Sequence, residues 1–415
     1  MIDTYSIVGG GISACALATY LSEKHTGKIS IYESSSSIGG VLKDLIFDDK
    51  IYFNGVQYIE DNTSWINILK KKKEIYNNLI FFEDKNASYT NFNGEEILSK
   101  DFPCPIFNTK VKLENLPKIE KFSSLKDRLG LYPKEISENL ESWVNKFGIN
   151  CNLLSNQCAE NGLMIVRVLP SQNNSVDLLN LKKKDKTFDT LYGLPRKTLK
   201  LPSVKVIVPK YGYNDFFLKL KEYLVSKKTS FNAKAIIKSS WNKKKLTIKN
   251  LTKPIQSQNV IWTANPTDLI KNFNSKKMDS YPVMIKTFTG DLNIKLKDFF
   301  YVNVFSHELD IFRMYIYNIN NQPKITLECF DKINGIEDSI NKIEEIFNKF
   351  GYKLKLDTIK KFHYKRQKKY FLVSVQDKKI LQDFYDEVKD SNLTPGAWDI
   401  YHREKKINSI LSNLE

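Results

Sequence analysis

An α/β fold is predicted here: a Rossmann-type dinucleotide-binding domain carrying an inserted domain of antiparallel sheet plus helices. Three observations predict it. A glycine-rich turn joins a short apolar strand to a helix at the start of the chain. A second strand follows at once and ends on a carboxylate. Far downstream, alternating segments repeat without intervening helices, the pattern of an antiparallel sheet rather than of further βαβ units.

The first unit reads cleanly. Tyr5 to Val8 is a buried-strand pattern, Ile12 to about Gly27 carries helical spacing of apolar residues, and Ile29 to Glu33 is a second strand. Together they make a βαβ beginning of about thirty residues. The turn between strand and helix is Gly9-x-Gly11-x-x-Ala14. In such a turn the first glycine permits the bend, the second lets backbone approach a pyrophosphate, and the small third residue lets helix and strand pack closely. The N–H groups at Gly11, Ile12, Ser13 and Ala14 open the helix, where its dipole favours an anion. Glu33, 22 residues beyond Gly11, stands where a carboxylate accepts ribose hydroxyls and repels a 2′-phosphate.

Composition bounds the rest. At 415 residues the chain has room for two intertwined domains. The 41% hydrophobic content belongs to a soluble globular protein, and no apolar run is long enough to span a bilayer. No secretory signal pattern precedes the first strand, so a cytoplasmic location is expected. Five scattered cysteines without a C-x-x-C pair argue for reduced thiols rather than a disulfide framework or zinc site. The net charge of +17 would suit an anionic partner, but lysines occur throughout, alongside abundant Asn and Ile. That pattern reads as compositional bias, so no specific nucleic acid is expected, and peripheral contact with a membrane surface stays open. The four histidines are scattered and no metal-binding spacing appears, so no metal is expected.

Along the chain, segments 45–47 and 51–53 read as paired strands about Asp48-Asp49-Lys50, and 63–79 reads as helical. Residues 102–199 mix Pro-broken loops with helices such as 133–147. Strand patterns return at 203–209, 230–239, 245–250 and 259–263, with a helix over 214–227. Segments 283–289, 299–305, 312–317 and 324–330 form the antiparallel sheet, and helices close the chain at 335–350 and 401–414. The cofactor domain is accordingly assigned to 1–62, 203–280 and 385–415, and a substrate domain to 63–202 and 281–384.

The continuation Glu33-Ser34-Ser35-Ser36-Ser37-Ile38-Gly39-Gly40 resembles the flavoprotein superfamily that includes amine oxidases, protoporphyrinogen oxidases, phytoene desaturases and UDP-galactopyranose mutases. Tyr52 to Ile59 resembles that family's next block, and the segments 208–213, 231–235 and 260–266 resemble its later landmarks in the same order. The resemblance implies FAD as cofactor. It further implies contacts from Gly39 and Gly40, from Gly55, Val56 and Gln57 beside the isoalloxazine, from Ala235 near the adenine, and from Thr263 and Ala264. Gly396, Ala397 and Trp398 occupy the place of the last flavin-contacting turn, although Leu393-Thr394-Pro395 replaces the family's upstream Gly-Arg or Gly-Asp pair.

The resemblance implies an FAD-dependent oxidoreductase acting on a small organic substrate. Two alternatives stay open: a non-redox sugar-nucleotide mutase, against which Asp399 stands at the place of a phosphate-binding arginine, and a degenerate FAD-binding scaffold. Gln57 stands where relatives carry a histidine; it can hydrogen-bond a flavin but cannot shuttle protons as histidine does. Arg196 and Arg313 are candidates to clamp an anionic substrate group through paired guanidinium donors.

Overall fold

A computed structural model describes residues 4–414 apart from 25–26, 56, 62, 84–86, 113–122, 162, 164, 166, 195–204, 243–244, 280, 297–298, 360 and 401. Its first strand, Thr4–Val8, lies at the centre of a five-stranded sheet, between Lys28–Tyr32 and Asn259–Trp262. Ser230–Asn232 and Leu393–Pro395 are the two edges, and every pairing in this sheet is parallel.

Such a sheet must be covered on both faces. One face packs against the helices Ile12–Lys24, Tyr213–Ser226 and Arg403–Ser412, through residues such as Leu17, Leu220 and Ile407. The other packs on a three-stranded meander, Ile237–Asn242, Lys245–Asn250 and Lys253–Ile255, and on the helices Thr267–Asn274 and Val375–Val388. The architecture is the expected Rossmann-type domain joined to sheet and helices.

The second large sheet has seven strands in the order 363–372, 281–291, 322–330, 311–319, 300–306, 87–91, 97–99. Its four expected segments are neighbours and antiparallel. The sheet is nevertheless mixed, because Ala87–Asn91 pairs parallel with Phe300–Ser306. That strand lies more than two hundred residues upstream of its partner, and a pairing at such separation leaves no local signature. Helices including Lys134–Asn145 and Ser175–Lys184 cover part of the sheet, with Leu140, Trp143 and Leu178 in one core with Phe305 and Phe330.

Three local expectations are corrected. Residues 63–79 form not one helix but two short ones, Ser64–Leu69 and Lys73–Tyr76, and Leu79 then opens the strand Leu79–Glu83 paired with Lys205–Pro209. Strand pairing, which periodicity does not report, claims Leu79. The expected strand 230–239 breaks, because Lys234 adopts a left-handed φ of 53° and turns the chain from the parallel sheet into the meander. The hairpin turn is the two-residue Asp48-Asp49, both left-handed, between Leu45–Phe47 and Lys50–Tyr52.

The large sheet and the helix Tyr213–Ser226 that covers the parallel sheet meet at Phe53. Its ring stacks on Tyr317 with centroids 4.5 Å apart and meets Tyr213 edge-on at 5.2 Å. Its N–H donates to the Tyr317 hydroxyl at 2.9 Å. The Asn54-Gly55 bend follows directly after this anchor.

Candidate functional site

The glycine loop is built from backbone conformations that side chains would spoil. Gly9 has a φ of +104°, and a Cβ there would lie 2.8 Å from Thr263 Oγ1 and 2.9 Å from the Ala264 nitrogen. A Cβ on Gly10 would press on Glu33 at 2.9 Å. Gly11 differs: a Cβ there meets nothing within 4 Å. The loop is therefore tight against its own protein at two glycines and opens onto free space at the third, at the first turn of the helix Ile12–Lys24. Ala14 and Cys15 are fully buried behind it, and burial pushes the Cys15 thiol up to about 12.

Gly39 and Gly40 fold onto the same loop. Gly39 donates its N–H to the Gly10 carbonyl at 2.7 Å, and a Cβ on Gly40 would come 3.0 Å from the Gly11 Cα. On the other side, Thr263 and Ala264 both donate backbone N–H to the Val8 carbonyl, at 2.9 and 3.0 Å. The 396–398 turn closes on them. Trp398 Nε1 donates to the Ala264 carbonyl at 2.9 Å, and Ala397 takes a left-handed φ of 47°.

The second strand ends at Tyr32, one residue short of the expected bound, and Glu33 directly follows it. Its Oε2 accepts from the Gly10 N–H at 2.6 Å and its Oε1 from the Ser35 N–H at 2.8 Å, with the Ser34 hydroxyl at 3.3 Å. Burial pushes this carboxyl up, but the N–H donors of Ser35 and Gly10 outweigh it and hold it below its ordinary value, so it is an anion at neutral pH. Ala235 donates its N–H to the Glu33 carbonyl at 2.9 Å. Beside Glu33 opens a cleft of about 340 Å³ lined by Ser36, Lys43, Asp44, Phe217, Lys221 and Phe231, among others.

Asp44 is a site residue that the sequence does not reveal. Its carboxylate accepts the N–H groups of Tyr213 and Asn214, at 3.0 and 2.8 Å, and so caps the helix Tyr213–Ser226. Burial pushes its carboxyl up to about 7. An aspartate 170 residues from the helix it caps carries no local signal.

Gln57 is buried, and its Nε2 donates to the Val41 carbonyl at 2.7 Å and to the Asn54 carbonyl at 3.1 Å. Its Oε1 is buried without a hydrogen-bond partner. Gly39, Gly40, Val41 and Gln57 thus form a continuous wall from the glycine loop to the Gly55 bend. Gly55 has a φ of +105°, and a Cβ there would collide with Lys369 Nζ and Glu328 Oε1. Val56 and Arg196 lie outside the described residues.

Arg313 is neither on the outer surface nor an isolated clamp. Its guanidinium donates to the Tyr370 hydroxyl at 2.8 Å and stands 3.6 Å from Glu328 Oε2. Glu328 is fully buried, with its Oε1 taken by Lys369 at 2.5 Å and by the Tyr370 hydroxyl at 2.8 Å. Burial pushes the Glu328 carboxyl up, but Lys369 and Arg313 outweigh it and hold it ionised. A visible hint was available: Glu328 interrupts the otherwise apolar or hydroxyl run Ile325 to Phe330.

Among the described residues no helix is long and apolar enough to cross a membrane. Residues 7–71 match the family described as NAD(P)-binding Rossmann-like domain, which covers the glycine loop, Glu33 and the Gly39-Gly40 pair. The whole fold is similar to reduced UDP-galactopyranose mutase, at 13% identity and a TM-score of 0.66, covering 100% of this chain and 93% of that one. It is also similar to a redesigned putrescine oxidase, at 13% identity and a TM-score of 0.59, covering 100% and 99%. Cyclohexylamine oxidase from Brevibacterium oxydans IH-35A is a third, at 10% identity and 0.59, covering 100% and 98%. The chain therefore has the amine oxidase-like fold, a Rossmann-type domain with a sheet-and-helix domain set into it. No curated protein sequence matches it.

Proposed function

We propose that this chain is an FAD-dependent oxidoreductase acting on a small organic substrate in the cytoplasm. The observation that carries the reading is the Gly11 cradle, free space at a helix N-terminus inside a loop otherwise closed by its own atoms. The N–H groups from Gly11 to Ala14 would hold the pyrophosphate. Glu33, beside Ser34 and already ionised, would hold the ribose over the cleft, with Ala235 near the adenine. Gly9, Gly39, Gly40, Thr263, Ala264 and the 396–398 turn would frame the path between. Gly55, Val56 and Gln57 would lie beside the flavin ring, where the buried Gln57 Oε1 lacks a donor. Bound flavin supplies the redox chemistry, and the chain supplies binding, orientation and exclusion of water.

In this reading the cofactor domain comprises 1–62, 203–280 and 385–415, onto which the helix Val375–Val388 packs, and the substrate domain comprises 63–202 and 281–384. Of the two arginine candidates for an anionic substrate group, Arg313 is described and Arg196 lies outside the described residues. The test is to denature the purified, yellow protein and identify the released nucleotide. FAD is expected; a colourless protein that binds only NAD overturns the reading.

A non-redox mutase is the second reading, supported by the fold shared with reduced UDP-galactopyranose mutase. Consumption of oxygen or a quinone during turnover separates an oxidoreductase from a mutase, which leaves its flavin's oxidation state unchanged over each cycle. A scaffold would show neither activity.

A further inference from the structure

Between the Gly55 bend and the strands 311–319, 322–330 and 363–372 of the large sheet lies a set of charges that do not cancel. Among the described residues, Arg313 and Lys369 share one carboxylate, Glu328; burial pushes the Lys369 ammonium down, while Glu328 beside it favours its charged form. The tyrosines Tyr370, Tyr301 and Tyr58 also bear on Arg313. The side chain of Glu328 is 0% exposed and that of Lys369 is 7% exposed. Glu328 gives its close contact, 2.5 Å, to Lys369, and Arg313 stands back at 3.6 Å. The set therefore holds one excess positive charge, centred on the Arg313 guanidinium. A buried charge without a counter-charge is costly.

The guanidinium is oriented to receive a partner. Tyr370 holds it from one side by the 2.8 Å hydrogen bond, and it lies over the rings of Tyr370 and Phe312, at 5.3 and 5.9 Å from their centroids. Fourteen per cent of its side chain remains accessible although protein surrounds it. A planar guanidinium fixed in this way has the geometry that matches a carboxylate or a phosphate. Its aromatic surroundings suit a substrate whose anionic group is borne on an apolar or ring-shaped body.

We infer that the structure assigns Arg313 as the anchor for a carboxylate or phosphate group of the substrate, which completes the charge balance that Glu328 leaves unfinished. The inference rests on the flavoenzyme reading above for the word substrate, but not for the anion site itself. Lys369 has a separate part: paired with Glu328 and hydrogen-bonded to the Asn54 carbonyl, it braces the Gly55 bend. The anion site and the Gly39 to Gly55 wall are thereby one contact apart.

The experiment titrates the purified holoprotein with benzoate, phenyl phosphate and neutral benzamide, reading flavin absorbance and, independently, heat of binding. At least one of the two anions should bind to the native protein and benzamide should not. Arg313→Gln should weaken anion binding roughly 10- to 100-fold, the value of a charge-assisted hydrogen-bonded contact, and Arg313→Lys should fall between. Melting temperature and flavin content, measured on each variant, show that it is folded and loaded. If Arg313→Gln does not fold, the Arg313→Lys titration carries the test. Equal binding of benzamide, no binding of either anion, or undiminished anion binding in the folded variants overturns the inference and leaves the flavin reading untouched. Anion binding at Arg313 in a protein that holds no flavin upholds the site and overturns the flavin reading.

Discussion

The Glu33 carboxylate accepts the backbone N–H of Gly10 at 2.6 Å, tying the end of the second strand to the glycine loop. Gly10 and Gly9 are thereby enclosed by protein, whereas Gly11 faces open space. The three glycines should respond differently to substitution. Gly11→Val should leave the melting temperature of flavin-free protein nearly unchanged and abolish flavin retention. Gly9→Ala should instead destabilise the fold itself, by about 1–3 kcal/mol, because an alanine at that φ is strained and its Cβ strikes Thr263. Denaturant unfolding and flavin content of both variants check this contrast. Full flavin occupancy in Gly11→Val means that the pyrophosphate is elsewhere.

Two roles for Gln57, a structural brace and the proposed flavin contact, can be separated by experiment. Its amide braces the Val41 and Asn54 carbonyls, so Gln57→Leu should cost about 1–3 kcal/mol through lost buried hydrogen bonds. If its unpartnered Oε1 faces the flavin ring, the loaded variant should also show a shifted visible spectrum or reduction potential. A lower melting temperature with spectrum and potential unchanged would make Gln57 a brace alone.

Asp44 makes stability depend on pH. Its folded carboxyl holds a proton up to about pH 7, against an ordinary value of 3.8. Between those values the folded state binds more protons than the unfolded one, so this group's contribution falls as pH rises from about 4 to about 7. Asp44→Asn removes that dependence. Relative to the native chain it should gain on the order of 1–4 kcal/mol between pH 4 and pH 7, with no further change above. Urea unfolding of both proteins at a series of pH values measures it, and parallel curves across the window refute the assignment.

Among the described residues, Glu328 is the carboxylate that faces both Arg313 and Lys369. Glu328→Gln should lower stability by about 3–5 kcal/mol, since Arg313 and Lys369 are then left buried together without a counter-charge. Added benzoate or phenyl phosphate should recover part of that loss. Equilibrium unfolding with and without the anion checks both statements, and a loss below about 1 kcal/mol would show that water already reaches the cluster.

The Rossmann-like start of the fold, with its glycine loop, was legible because its determinants are local. Glycine spacing, a small residue at Ala14 and a carboxylate closing the next strand are all set within 33 residues, and sterics at those positions dictate the turn. The four antiparallel strands were legible for the same reason, since alternation is a nearest-neighbour property. Only the tertiary structure shows that Ala87–Asn91 joins that sheet in parallel, that Asp44 caps a helix beginning at Tyr213, and that Arg313 shares Glu328 with Lys369. Each of these pairs residues far apart along the chain. Their energies come from burial and from charge at short range in a medium that excludes water, and neither exists until distant segments have packed together.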